Sequence, residues 1–355
     1  MGAWRHPFQD GIGRGIVTPQ NQGLDMDTVL VTGGAGYIGS HTVLALLAAG
    51  RAVVVLDDLS TGDRRLVPAD VPLIVGDVAD AERTGALLRD HHVGTVMHFA
   101  GSIIVPESVA DPLKYYRNNT AASRSLIEAC VTAGVGRFIF SSTAAVYGNP
   151  PTRMVTEQTP AAPVSPYGWS KLMTEQMLAD VAAAHPVFRS IALRYFNVAG
   201  ADPHGRAGQV TPNATHLIKL ACETALGRRV ALNIFGTDYP TPDGTCVRDY
   251  IHVSDLADAH VCALEHLERG GDSLVLNCGY GRGYSVRQVA TAMERAAGLP
   301  LPQVEAPRRA GDPVELVADS TRLRDLLDWR PRLDDLDLIV RHALGWERGR
   351  AGAQE

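Results

Sequence analysis

Between residues 28 and 200, short apolar runs alternate with stretches whose apolar positions recur at helical spacing. Runs at 28–32, 52–57, 72–75, 95–99, 137–141 and 189–195 have strand length, and helices are predicted near 39–49, 82–91, 112–133 and 166–185. Strand and helix in strict alternation is the rhythm of a parallel sheet covered on both faces. The predicted fold class is therefore α/β, a doubly wound parallel sheet of Rossmann type. The run 190–198, Ser-Ile-Ala-Leu-Arg-Tyr-Phe-Asn-Val, reads as the last strand of that sheet. From about Asp202 the pattern loosens into Gly-, Pro- and Asp-rich loops with shorter helices near 213–226, 253–269 and 285–297. That predicts a smaller C-terminal α/β domain riding on the sheet. The division expected is 26–200 and 201–347, interleaved at the boundary, with a tail at 348–355. Residues 1–25 carry no apolar period and no signal-peptide core, and are expected to be a disordered extension.

Composition narrows the class. A 45% hydrophobic and 20% charged chain is ordinary for a globular protein, and a net charge of −6 argues against a nucleic-acid surface. The longest apolar stretch, 43–56, is cut by Gly50 and Arg51, short of the roughly 18 residues a membrane span needs. Cys130, Cys222, Cys246, Cys262 and Cys278 form no Cys-x-x-Cys pair, which favours free thiols, a cytoplasmic setting and no bound metal.

Three segments carry chemistry. Val29-Leu-Val-Thr-Gly-Gly-Ala-Gly-Tyr-Ile-Gly-Ser sets Gly33, Gly36 and Gly39 between a strand and a helix, where the backbone can approach a pyrophosphate and offer it N–H groups. Asp57 closes the second strand, 18 residues beyond Gly39, placed to accept from ribose hydroxyls and to repel a 2′-phosphate; this favours NAD over NADP. Asp77 and Val78, after the third strand, are placed for the adenine. Tyr167 and Lys171 lie four apart in Ser-Pro-Tyr-Gly-Trp-Ser-Lys, with Pro166 suited to a first helical turn, so they share a face. An ammonium beside the phenol is expected to lower its pKa and make it a usable base. Thr143, in Ser-Ser-Thr-Ala-Ala-Val-Tyr-Gly after the fifth strand, offers a hydroxyl at the sheet edge, with Ser142 as its rival.

Together with these, HFAG, PESVADPLKYYRNN, LRYFNVAGADP, YPTPDGTCVRDYIHVSDLADAH and PRRAGDP resemble the UDP-glucose 4-epimerase family of extended short-chain dehydrogenase/reductases, from about residue 27 to 346. The resemblance implies an NAD site in 26–200 that includes Tyr37, Ile38, Asp57, Asp58, Leu59, Ser60, Asp77, Val78, Phe99, Ala100, Gly101, Asn118 and Phe196. It implies a UDP-sugar site in 201–347 and its border, with Thr143, Asn197, His216, Leu217, Asn233, Phe235, Tyr250, Asp312 and Leu316. Arg248 and Arg309 would grip the diphosphate, since the guanidinium fork pairs with phosphate oxygens. Leu316 takes the position that gates the sugar's 2-substituent. Three departures stand out. Thr143 replaces a common serine. Ser102-Ile103 replaces a common Leu-Lys, removing a cofactor-side ammonium. The segment 211–217 differs from the usual Asn-Asn-Leu.

The implied reaction is the reversible 4-epimerisation of UDP-glucose and UDP-galactose, a step of galactose metabolism. Tyr167 would take the 4-hydroxyl proton, directly or through Thr143, while C4 gives hydride to bound NAD. The 4-keto sugar then turns over and is reduced on its other face. The alternative is a 4-epimerase for another UDP-sugar: UDP-N-acetylglucosamine, UDP-xylose or UDP-arabinose. A 4,6-dehydratase would need an acid–base pair after Thr143, where Ala144 and Ala145 stand; a non-catalytic NAD sensor would lack the Tyr/Lys pair. The resemblance also implies a homodimer joined through the helices near 112–133 and 166–185.

Overall fold

A computed structural model describes residues 28–211, 214–309 and 311–352; the extension expected at 1–25 lies outside the described residues. The main sheet is built from β1 (Thr28–Thr32), β2 (Val53–Asp57), β3 (Leu73–Val75), β4 (Val93–His98), β5 (Arg137–Thr143), β7 (Arg189–Tyr195) and β11 (Leu274–Cys278). These seven strands are all parallel, in the order β11-β7-β5-β4-β1-β2-β3. The chain works outward from β1 to β3, then crosses back to start the other half at β4. The C-terminal ends of β1 and β4 thus flank the switch point, where an open α/β sheet leaves a crevice.

Side-chain alternation decides which helices cover which face. Val29, Val31, Val53, Val55, Met97, Ile139, Ile191 and Leu193 point to one face, under α1 (Tyr37–Ala48) and α8 (Val253–Glu268). Leu30, Val54, Leu56, Val96, Phe138 and Phe140 point to the other, under α2 (Ala81–Asp90), α5 (Ala122–Ala133) and α6 (Pro166–Ala184). With both faces buried, β2 carries no outward polar position before Asp57, which explains its continuous apolar run.

Two expectations are corrected here. The run 190–198 is not the last strand of the sheet: β11 joins its edge, with Leu274 beside Ile191 and Cys278 beside Tyr195. Its apolar run, Leu274-Val-Leu, is only three residues long before Asn277, too short to declare a strand without the β7 edge it pairs with. The run also breaks after Tyr195, and β8 (Asn197–Ala199) leaves to pair with β10 (Val247–His252). The helix predicted over 112–133 is three pieces: α4 (Pro112–Tyr115), a π-helical turn at Tyr116–Ala121, and α5, preceded by the unforeseen α3 (Val105–Ala110).

The smaller unit holds a sheet in the order β12 (Gly283–Ser285), β10, β14 (Glu315–Ala318), β6 (Met154–Val155), and a separate pair, β9 (Leu232–Phe235) with β13 (Gln303–Ala306). Helices α7 (Leu217–Ala225), α9 (Val286–Ala297), α10 (Thr321–Leu327) and α11 (Leu336–Gly352) surround it, and α11 runs on into the stretch expected as a tail. Glu347 on α11 is buried because Lys219 and Arg228 meet it at 2.6 and 2.9 Å, tying α11 to α7 and the loop after it. Among the described residues no helix is long and apolar enough to cross a membrane.

Candidate active site

The glycine loop is shaped by backbone contacts that tolerate no side chain. Gly33 leaves β1 at φ +70°, and a Cβ there would lie 2.6 Å from the Ala100 nitrogen; one on Gly39 would lie 2.2 Å from the Gly33 oxygen. Gly36 caps α1 without a side chain, and no acidic residue occupies the first turn of that helix. The positive end of α1, with Tyr37, Ile38 and Gly39 in its first turn, is left for an external anion.

Asp57 is buried at the end of β2, where it accepts from the Ala35 amide (2.9 Å) and the Leu59 amide (2.8 Å). Burial pushes its pKa up and the two amides pull it back. A carboxylate has lone pairs for more donors than these two, so it can still accept from a vicinal diol. Asp58 accepts from the Ser60 amide and hydroxyl, shaping the next turn, and Leu59 sits between them at φ +59°. Asp77 accepts from the Ala79 amide, and Val78 is buried beside it. Phe99, Ala100 and Gly101 follow β4 directly against Gly33. The loop, the acceptor-only Asp57 and the helix start form a cradle that fits a dinucleotide with a free 2′-hydroxyl.

Beyond Gly101 the chain is held by Asn118, which the resemblance named, and by two residues that sequence reasoning missed. Asn118 donates to the Ser102 hydroxyl (3.2 Å). Asn119, its neighbour, is buried. It accepts from the Ser102 amide (2.7 Å) and donates to the Ser102 carbonyl and the Ser170 hydroxyl (both 3.0 Å), clamping this loop to α6. The doubled Asn in YYRNN was the available signal. Tyr115, fully buried, places its hydroxyl 2.6 Å from the Ile104 carbonyl and meets the Tyr167 ring edge-on at 6.4 Å.

Helix α6 starts where Ser165 Oγ accepts from the Gly168 amide, with Pro166 in the first turn. Tyr167 and Lys171 are both buried on the face turned to β5. Lys171 donates to the Ser141 carbonyl (3.0 Å) and lies 4.9 Å over the Phe140 ring. Burial draws its pKa down to about 8, against the favourable charge of Glu175. Tyr167 differs from expectation: burial raises its pKa, and the opposing influence is the Thr143 hydroxyl rather than the Lys171 ammonium, which donates to a carbonyl. The Ser142 hydroxyl, rival to Thr143, points the other way along the alternating strand and donates to Glu175.

Phe196 packs with Ala144, Val146, Tyr147, Val155 and Leu316, so Leu316 belongs to a small apolar cluster beginning one residue past Thr143. Across β10 and β14, Leu316 is the register partner of Arg248, whose guanidinium is 3.5 Å from Asp312. Arg309 stacks 3.8 Å over the Phe235 ring; Asn233 lies exposed on the same strand, β9. One cleft is lined by Tyr37, Asn197, Gly200, His216, Leu217 and Tyr250, and His216 is held by Gln209 at 2.8 Å. The expected nucleotide residues thus fall into three local groups: Arg248 with Leu316 and Asp312, Arg309 with Phe235, and the cleft that holds Asn197, His216, Leu217 and Tyr250. Among the described residues no group of His, Cys, Asp or Glu could hold a metal.

A parallel sheet with a glycine cradle at its switch point and a Thr-Tyr-Lys set beside it defines a nucleotide-dependent dehydrogenase-type fold. Residues 29–279 match the NAD dependent epimerase/dehydratase family, and the chain belongs to it. Within that family it is similar to the UDP-glucose 4-epimerase of Azospirillum brasilense, 62% identical over 331 residues, covering 92% of this chain and 95% of the relative. The structure resembles that of UDP-glucose 4-epimerase from Brucella ovis in complex with NAD: TM-score 0.87, 45% identity, 90% of this chain and 98% of that one. It also resembles the Bifidobacterium longum UDP-glucose 4-epimerase in complex with NAD+ and UDP: TM-score 0.87, 38% identity, 91% and 99% coverage.

The cradle makes a direct prediction. Gly39→Ala must displace the Gly33 carbonyl, at an overpacking cost of about 1–3 kcal/mol, so NAD affinity should fall by about ten-fold or more. Calorimetric titration of NAD measures this; unchanged affinity would contradict the loop geometry.

Proposed function

We propose that this chain interconverts UDP-glucose and UDP-galactose by reversible oxidation at C4 of the sugar, with NAD as its resident cofactor. The observation that carries this reading is the placing of Tyr167 and Lys171, both buried one turn apart on α6, against the end of β5 where Thr143 stands. NAD supplies a reversible hydride acceptor for C4. The protein's part is to hold the sugar and manage one proton.

Tyr167 takes the 4-hydroxyl proton, and Thr143 relays that proton or steadies the oxygen it leaves behind. Lys171 keeps a positive charge one turn of α6 from the developing phenolate and would hold the cofactor's ribose. Arg248 and Arg309 anchor the diphosphate through charge-assisted hydrogen bonds, while Asp312 and the Phe235 ring hold the two guanidiniums in place. An anchor at the diphosphate leaves the 4-keto sugar free to turn over and be reduced from its opposite face. Because nothing is consumed, the cradle would hold NAD as a bound group rather than a co-substrate. Free thiols at all five cysteines suit a cytoplasmic enzyme.

The chain acts as a homodimer. Leu113 and Val109 are 76% and 64% exposed on α4 and α3, and Trp169 and Met173 are 43% and 40% exposed on α6, an apolar face that a second copy would cover.

Three outcomes follow. Tyr167→Phe should lower turnover on the order of 10²–10⁴-fold while bound NAD and melting temperature stay the same; activity within about threefold of the parent would remove Tyr167 from its role. Leu316→Tyr should depress any conversion of UDP-N-acetylglucosamine relative to UDP-glucose, and Leu316→Ser should raise it, as read from product ratios; equal ratios in all three proteins would take Leu316 out of the gate. Finally, Leu113→Asp with Trp169→Glu should convert a dimer to a monomer in sedimentation; a parent that already sediments as a monomer would refute the pairing.

A further inference from the structure

Glu175 takes no part in the steps above, yet only 6% of it is exposed, and it follows Lys171 by one turn of α6. A carboxylate so placed is costly unless it is fully partnered. Here it is: Arg194 on β7 donates from Nε (3.0 Å) and Nη2 (2.6 Å), and Ser142 donates its hydroxyl. Arg194 also lies 5.0 Å over the Tyr147 ring and donates to its hydroxyl (3.1 Å), which in turn donates to Asn277 on β11 (2.6 Å). Burial opposes the charge on Arg194, but its pairing with Glu175 outweighs that and raises its pKa.

Two effects of this network converge on Lys171. By holding Ser142, Glu175 fixes the strand end one residue beyond the Ser141 carbonyl that accepts from Lys171, so the ammonium has a set target. The second effect is electrostatic. The groups facing Lys171 are Glu175 on α6, His98 on β4, and Phe140 and the Ser141 carbonyl on β5; behind them stand Tyr195 and Arg194 on β7, bonded to Ser141 and Glu175. His98 is kept neutral, since burial and Lys171 itself draw its pKa down to about 3. Tyr195, hydrogen-bonded to the Ser141 hydroxyl, is pushed up by burial and also stays neutral. Arg194 is committed to Glu175. Among these groups Glu175 alone brings a negative charge, and it opposes the burial that draws Lys171 down to about 8.

We propose that Glu175 is a positioning residue that keeps Lys171 an aimed ammonium, with Arg194 and Ser142 holding Glu175 in place; this rests on the role given to Lys171 above. Removing the carboxylate leaves Lys171 in the same apolar surroundings with no counter-charge, so its proton is lost at lower pH. The alkaline fall in turnover moves with it.

The chain has three lysines, Lys114, Lys171 and Lys219, so lysine-¹³C-labelled holoenzyme gives three side-chain signals; the one missing from Lys171→Met is Lys171. Glu175→Gln should lower the Lys171 titration midpoint by about one unit, and the alkaline limb of kcat should shift equally while KM stays within about twofold. Glu175→Asp should restore both. If Glu175→Gln fails to fold around the unpaired Arg194, Glu175→Gln with Arg194→Met removes both charges and should show the same downward shift. A Lys171 midpoint equal to the parent's in either folded variant overturns the proposal, as does a limb that moves without it. Parental turnover in Lys171→Met would instead overturn the role of Lys171 itself, whatever Glu175 does.

Discussion

Two successive residues at the end of β5 are each gripped by one residue of α6, and the site depends on that clamp. Ser141 offers its carbonyl to Lys171 and Ser142 its hydroxyl to Glu175, with Thr143 next along the strand and Tyr167 one turn earlier on the helix. The helix residues come at intervals of four, one per turn, so a single stripe of α6 lies along the strand end. A helix shifted by one residue would break both hydrogen bonds at once. The scaffold beneath gives this clamp its rigidity: β5 is central in the sheet, bonded to β4 and β7, and α6 buries Leu178 with Phe138 and Phe140.

The clamp also sets the electrostatics. Tyr167 and Lys171 are withdrawn from water, and burial disfavours the charged form of each: it raises one pKa and lowers the other. Burial keeps the phenol protonated, while Lys171, at about 8, still carries its proton near neutral pH. The sequence pattern suggested a simpler arrangement in which the ammonium alone activates the phenol. The folded geometry sends that ammonium to a backbone carbonyl instead.

Much of this was legible because local sequence and fold agreed. Valine-rich β1 and β2, the glycines between strand and helix, Asp57 closing β2, and the Tyr167–Lys171 spacing each declare themselves within a few residues. What stayed hidden depends on distant partners. Leu274–Cys278 becomes a sheet strand only because β7 offers it an edge. Asn119 is a clamp only because Ser102 and Ser170 lie on either side of it. Glu175 looks like half of an ordinary surface Lys–Glu pair at i,i+4, and only the fold reveals that both are buried and that Arg194 is the true partner. Arg248 and Asp312 were named separately through family resemblance, and only the fold shows that they pair.

The central claim is that C4 is oxidised and re-reduced within one closed site, with the same hydrogen returned to the opposite face. UDP-galactose deuterated at C4, incubated with the purified protein in ordinary water and without added NAD, tests it directly by mass spectrometry and NMR of the UDP-glucose formed. The account predicts product that keeps deuterium at C4 through many turnovers. Product carrying solvent hydrogen at C4 would contradict it.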